Sequence, residues 1–171
     1  MATSLFPTPR STTYSLTDRD RRERARCGNV PVVSADMLPY NIDHVAIAVT
    51  DLEASLEAFR RQYGVEPLRR EIVEEQGVEE AMIAVGGSQV QLLEPLVPDS
   101  PVGRFLAREG EGLHHIAFAV ADIDAALEHL KSGGARLVDE EPRTGGGGHR
   151  IAFVHPSAFA GTLVELVEVV E

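Results

Sequence analysis

The 171-residue sequence holds one cysteine, Cys27, no tryptophan and only 5% aromatic residues. A single thiol excludes an intramolecular disulfide framework and any multi-cysteine zinc site, so a metal here would need His, Gln, Asp or Glu donors. No apolar run approaches the roughly 20 residues that cross a bilayer, and the first residues lack the apolar segment of a secretory signal. A soluble cytoplasmic protein is the expectation. Basic side chains are also scarce: 16 Lys and Arg against 27 Asp and Glu leave a net charge of −11, which repels nucleic acid and anionic membrane at long range. Small ligands stay open, because a pocket can be locally positive.

Residues 1–36 differ from the rest. Six arginines (Arg10, Arg19, Arg21, Arg22, Arg24, Arg26) face four acids, and Ser, Thr and Pro replace any sustained apolar periodicity, so residues 1–38 read as a flexible extension. A transit peptide, which would place the protein in the mitochondrial matrix, is disfavoured by the acids between residues 18 and 23. Met37 is a second possible start.

From Ile42 onward the chain repeats itself. IDHVAIAVTDLEASLEAFRRQYG (42–64) aligns without gaps on LHHIAFAVADIDAALEHLKSGGA (113–135), with eight of 23 positions identical, and VQLLEP (90–95) matches VELVEV (164–169). Each copy opens with a strand whose bulky residues (Val45, Ile47, Val49; Ile116, Phe118, Val120) alternate with a His/Ala face. A helix follows, with Thr50-x-x-Glu53 as a capping box, Leu52, Leu56, Phe59 and Tyr63 on one stripe, and Gly64 as the stop. Three strand-like stretches come next, near 66–74, 79–85 and 88–94 in the first copy and 136–139, 149–154 and 162–169 in the second. The fold class is α+β: two βαβββ modules, about 41–96 and 113–170, joined by a linker helix near 99–110, within a domain over 39–171 whose curved mixed sheet surrounds a cavity.

His44 and His115 occupy equivalent positions, as do Gln91 and Glu165. A lone strand histidine reads as a hydrogen-bonded core residue, but two repeat-related pairs converging about a pseudo-twofold axis suit a divalent Zn, Mn, Co, Ni or Fe ion, and the alternating alanines leave room for a ligand. With Gly86-Gly87 as a two-residue turn, Met82 lies opposite Gln91 and Glu80 opposite Leu93, so Glu80 and Gln91 share a face as diagonal neighbours about 7–8 Å apart. A carboxylate there is placed as a general base; otherwise Glu80 is a solvated acid beside Glu79. The run Gly145 to Gly148 lacks the Lys-Ser/Thr and helix of a phosphate loop and reads as a mobile cavity lip. By parity His114 points away from His115, and Glu94 and Glu168 point away from the ligand face, toward solvent or an interface. His155-Pro156 marks a turn.

The paired modules with His, Gln, His and Glu resemble the vicinal oxygen chelate superfamily, and within it the methylmalonyl-CoA epimerase family. The segments IDHVAIAVTDLEASLEAF, EEQGVEEAMI, VQLLEPL, DSPVGRFLAREGEGLHHIAFAV and FVHPSAFAGTLVELVE carry the likeness over about residues 40–170. The resemblance implies that His44, Gln91, His115 and Glu165 bind a divalent ion, with cobalt typical, that Glu80 is a catalytic base and Glu165 a candidate second acid/base, and that the substrate is an acyl-CoA whose C2 proton is exchanged through an enolate on the route between propionyl-CoA and succinyl-CoA. It also implies a homodimer. HPSAFAGTL and the short Gly86-Gly87 hairpin depart from the family pattern. CoA phosphates would call for arginine at the cavity mouth, for which Arg143 and Arg150 are candidates. A glyoxalase-type isomerase and a non-catalytic binding protein of the bleomycin-resistance type are the alternatives.

Overall fold

A computed structural model describes residues 39–169. The extension expected over 1–38, with Cys27 and Met37, lies outside the described residues. The first repeat forms β1 (Asn41–Ala48), α1 (Leu52–Tyr63), β2 (Pro67–Val73), β3 (Val78–Val85) and β4 (Ser88–Pro95); the linker is α2 (Pro101–Glu109). The second repeat forms β5 (Gly112–Val120), α3 (Ile123–Ser132), β6 (Arg143–Thr144), β7 (Arg150–Val154) and β8 (Val164–Glu168). All eight strands join one curled mixed sheet in the order β2-β3-β4-β1-β5-β8-β7-β6. Within each module the first and last strands pair in parallel, β1 with β4 and β5 with β8, and the modules meet through antiparallel β1 and β5. No helix among the described residues is long and apolar enough to cross a membrane.

The alternation in the strands decides which face meets which helix. Leu52 and Leu56 of α1 pack on Ala81, Ile83 and Leu92, with Ile47 alongside, and Ile123 and Leu127 of α3 pack on Ala152, Val154 and Leu166. The opposite face of β1 is covered by α2, where Val102 and Phe105 lie on Ala46, Ala48, Val78 and Leu93. Part of the space that the β1 alanines were expected to leave for a ligand is therefore taken by the linker helix.

Both helix starts are built alike. Asp51 and Asp122 are the N-caps, accepting from the Ala54 and Ala125 N–H groups at 2.8 and 2.9 Å. Thr50 is not the cap, because its N–H and hydroxyl both donate to Glu111. Glu94 and Glu168 are half-buried rather than in open solvent. Each accepts from the first helical N–H of its module, Leu52 at 2.8 Å and Ile123 at 3.1 Å, satisfying an orphan donor where a carboxylate also suits the helix dipole. Gly64 ends α1 in the left-handed conformation at φ 67°, but Tyr63 at the end of the stripe is 70% exposed, with its ring tilted against Phe59 at 5.7 Å between centroids.

The strand expected over 136–139 is reduced to one bridge, Leu137 to Val154, with β6 formed later. Here the Val138 and Asp139 N–H groups both donate to the Phe153 carbonyl, while the Asp139 carboxylate accepts from the Phe153 N–H. A side chain thus takes one ladder position, and Pro142 cannot donate to another.

Gly103 in α2 is required by contact. A Cβ there would lie 2.3 Å from the Pro98 carbonyl oxygen and 2.8 Å from that of Val97. Gly103→Ala is expected to cost about 1–3 kcal/mol by overpacking. Gly133→Ala, with nothing nearer than 3.5 Å and a right-handed φ of −77°, should be neutral or gain about 0.4–1 kcal/mol. Urea denaturation of the two variants checks the contrast.

Candidate metal centre and its surroundings

The four central strands each contribute one polar side chain to the same face: Gln91 from β4, His44 from β1, His115 from β5 and Glu165 from β8. Register sets them in two cross-strand rows. Gln91, Ala46 and His115 are level in one, and His44, Ala117 and Glu165 in the other. Outer members of a row stand about 9–10 Å apart at the backbone, and the fully buried alanine between them leaves the space through which their side chains approach.

Two β-bulges aim the imidazoles. The β1/β5 register skips Asp43 between Ile42 and His44, and skips His114 between Ala46 and Ile47. These bulged residues are repeat equivalents, each immediately before its histidine. Asp43 Oδ1 lies 2.7 Å from His44 Nδ1, and His114 Nδ1 lies 2.9 Å from His115 Nδ1. The bulge also corrects the parity reading of His114, which does not turn away from His115 but lies beside it, edge-on to Phe105 at 4.9 Å.

The result is a compact triad of donor atoms. His44 Nε2 and His115 Nε2 are 3.3 Å apart, and Glu165 Oε2 is 3.1 Å from the first and 3.2 Å from the second. Three donors each about 2.0–2.2 Å from a common ion have edges of about 2.8–3.1 Å in an octahedral and about 3.3–3.6 Å in a tetrahedral arrangement, so the triad could hold a divalent cation. Gln91 lines the same small cavity of about 70 Å3 as His44 and Glu165. Its Nε2 donates to Glu80, while its buried Oε1 has no hydrogen-bond partner. An orphaned amide oxygen in a cavity shared with an imidazole and a carboxylate of the triad fits an ion better than it fits a core.

Glu80 lies where the hairpin register predicts, opposite Leu93 and diagonal to Gln91, and is not a solvated acid: it is 1% exposed. Its Oε2 accepts from Gln91 at 2.7 Å and its Oε1 from Arg69 Nη2 at 3.0 Å. Burial raises the Glu80 carboxyl above the ordinary range, with Arg69 opposing and Glu71 reinforcing. Arg69, Glu71 and Asp43 were missed in the sequence. Glu71 is level with Glu80 on β2 and Arg69 sits two residues earlier, but a 3-10 turn over Glu74–Gln76 joins β2 to β3 and conceals the register. The glycine run packs on this group and is more than a cavity lip. A Cβ at Gly146 would lie 2.3 Å from Glu80 Oε1, and the Gly147 N–H donates to Glu71 at 2.7 Å. In the second module the position equivalent to Glu80 is Ile151, paired with Val167 as Glu80 is with Leu93.

A larger cavity of about 1000 Å3 opens on the other side of His115, between α2 and the 138–143 and 161–163 segments. Arg143 lines it, paired with Asp139 and 5.3 Å over the Phe153 ring. Arg150 does not: it pairs with Asp124 and Glu168, binding α3 to the sheet away from the cavity. His149 lines the small cavity, and His155 caps the turn at Pro156 as expected.

Burial alone would lower the His44 imidazole, but Asp43 and Glu165 outweigh it and push it up to about 9. Burial would raise Glu165, but His115 and His44 hold it at about 2. In chelator-treated protein the raised histidine stabilises the fold fully below its ordinary 6.5, and that contribution is lost as pH rises through about 9. The depressed carboxyl contributes above its ordinary 4.5 and is lost as pH falls through about 2. The urea midpoint of chelated protein should therefore fall from pH 6.5 to 9, and added divalent ion, replacing the proton, should remove that fall. A flat midpoint without metal would contradict the pairing.

The family model for the glyoxalase/bleomycin resistance protein/dioxygenase superfamily matches residues 43–153. The ethylmalonyl-CoA/methylmalonyl-CoA epimerase of Cereibacter sphaeroides is 40% identical over 130 residues, covering 75% of this chain and 97% of that protein. A solved methylmalonyl-CoA epimerase in complex with methylmalonyl-CoA and NH4+ is 47% identical with a TM-score of 0.74, covering 77% of this chain and 95% of that one. The methylmalonyl-CoA epimerase structure from Mycobacterium tuberculosis is 40% identical, also at 0.74, covering 78% and 91%. The eight-stranded sheet, the duplicated modules and these matches together place the chain in the glyoxalase/bleomycin resistance protein/dioxygenase superfamily, to which it belongs.

Proposed function

We propose that this protein is a methylmalonyl-CoA epimerase, exchanging the proton at C2 of the acyl group. The observation that carries the reading is a buried carboxylate, Glu80, hydrogen-bonded to Gln91, which lines one cavity with His44 and Glu165 of a His44, His115 and Glu165 triad of ion-binding geometry, in a chain similar to epimerases at 40–47% identity.

A divalent cation held by His44, Gln91, His115 and Glu165 would supply Lewis acidity against the negative charge that gathers on the thioester oxygen when the C2 proton leaves. Glu80 accepts that proton. Its burial strengthens it as a base, and the Arg69 and Gln91 donors fix the carboxylate's orientation from both oxygens. Proton return on the opposite face inverts the centre. Glu165 is the resemblance-based candidate for that step, but a carboxyl held at about 2 has low proton affinity, which favours its role as ligand and leaves water or another side chain as donor. The same reading takes cobalt as the ion, a homodimer as the assembly, the cytoplasm as the compartment and the route between propionyl-CoA and succinyl-CoA as the setting, with residues 39–171 as the catalytic domain and 1–38 as an extension.

Incubation with methylmalonyl-CoA in deuterated water should introduce deuterium at C2, and a chelator should stop it. Glu80→Gln should keep bound metal by elemental analysis while exchange from at least one epimer falls by roughly 10²-fold or more. Absence of exchange by the wild type, with turnover of a glutathione hemithioacetal, would replace this reading with a glyoxalase-type isomerase.

A further inference from the structure

One wall of the larger cavity is α2, and the face it turns inward carries Arg104 and Arg108, one helical turn apart and both exposed. Like charges at i and i+4 disfavour a helix, and in a chain with 27 acids to 16 bases they would be expected to find carboxylates. Arg60, Arg69, Arg70, Arg143 and Arg150 do, whereas Arg61 and Arg136, which also make no ion pair among the described residues, lie outside the cavity. Arg104 makes no ion pair among the described residues and donates only to the Asp99 backbone carbonyl. Arg108 pairs only with its neighbour Glu109, and its side chain is 72% exposed. Of the other carboxylates on this cavity, Glu111 is engaged by Thr50 and Asp139 by Arg143 and the Phe153 N–H, which leaves Glu75.

The cavity therefore has two chemically different ends. One touches the His115 imidazole, with Phe153 edge-on to it at 5.2 Å. The other presents two guanidinium groups on one helix, Arg104 without a carboxylate partner among the described residues and Arg108 held only by the exposed, adjacent Glu109. We infer that Arg104 and Arg108 bind the phosphates of the nucleotide end of an acyl-CoA, with the thioester lying at the His115 end. This rests on the epimerase reading for the identity of the substrate. Guanidinium forks match phosphate oxygens in geometry, and a phosphate shared between the two arginines turns a repulsive pair into a charge-assisted clamp. At −11 the chain as a whole repels a polyanion, so direct guanidinium contacts at the cavity wall are what would hold the phosphates there.

The test measures exchange kinetics of Arg104→Ala, Arg108→Ala, the double variant and Arg150→Ala on two substrates, methylmalonyl-CoA and the methylmalonyl thioester of pantetheine, which lacks the phosphates. The double variant should show a KM for the CoA thioester raised roughly 10-fold or more, little change in kcat, and a KM for the pantetheine thioester equal to that of the wild type. Arg150→Ala, outside the cavity, should match the wild type on both. An unchanged KM in the double variant, or an equal rise on both thioesters, overturns the assignment. If the wild type exchanges neither thioester, the epimerase reading falls, and calorimetric titration with CoA itself decides the arginine site. Binding at least tenfold weaker to the double variant upholds it, and equal or absent binding overturns it.

Discussion

The antiparallel pairing of β1 with β5 governs the arrangement of the whole site. It joins the two repeats about their pseudo-axis, and its two bulges, at Asp43 and His114, bring His44 and His115 to face each other at 3.3 Å. The parallel pairings to β4 and β8 then set Gln91 and Glu165 at the ends of the same two rows. Because side-chain direction alternates with a period of two, a slip of one residue at the β1/β5 seam would turn one histidine out of the site altogether. The helices stabilise this seam indirectly. Glu94 and Glu168 reach from the last strand of each module to the first N–H of its helix, so helix position and ligand position are referred to the same strands.

Much of this was legible because duplication is visible in a single sequence. The paired histidines, the Gln91/Glu165 equivalence and the Gly86-Gly87 hairpin depend on alternation and tight turns, both local properties, and the hairpin register came out residue for residue from Val85–Ser88 to Glu80–Leu93. What escaped has a common cause. His114 was misdirected because a bulge breaks alternation without leaving a composition signal. Arg69 and Glu71 were overlooked because the β2–β3 connection is a 3-10 turn with no fixed register. The 136–139 strand failed because a side-chain carboxylate, Asp139, took the place of a backbone partner. In each case an irregularity interrupts the backbone pattern that the reading relied on.

Glu80 is enclosed more tightly than hairpin geometry alone would suggest. Glu80 is buried beneath the glycine run of the opposite module, and both its oxygens are engaged by donors of its own module. Two modules thus cooperate in one group: the first supplies the carboxylate and its orientation, and the second supplies a backbone that lies against it only because Gly146 has no side chain.

The correspondence between Glu80 and Ile151 carries a stereochemical consequence. Twofold-related halves could in principle offer matching acid/base groups to the two faces of a planar carbon, which would make the forward and backward half-reactions mirror images. Here one half presents a carboxylate and the other a hydrocarbon. On the proposed function, an inherited symmetry of backbone would thus serve an asymmetric chemistry, in which the two epimers would meet differently built proton carriers and take up isotope at different paces.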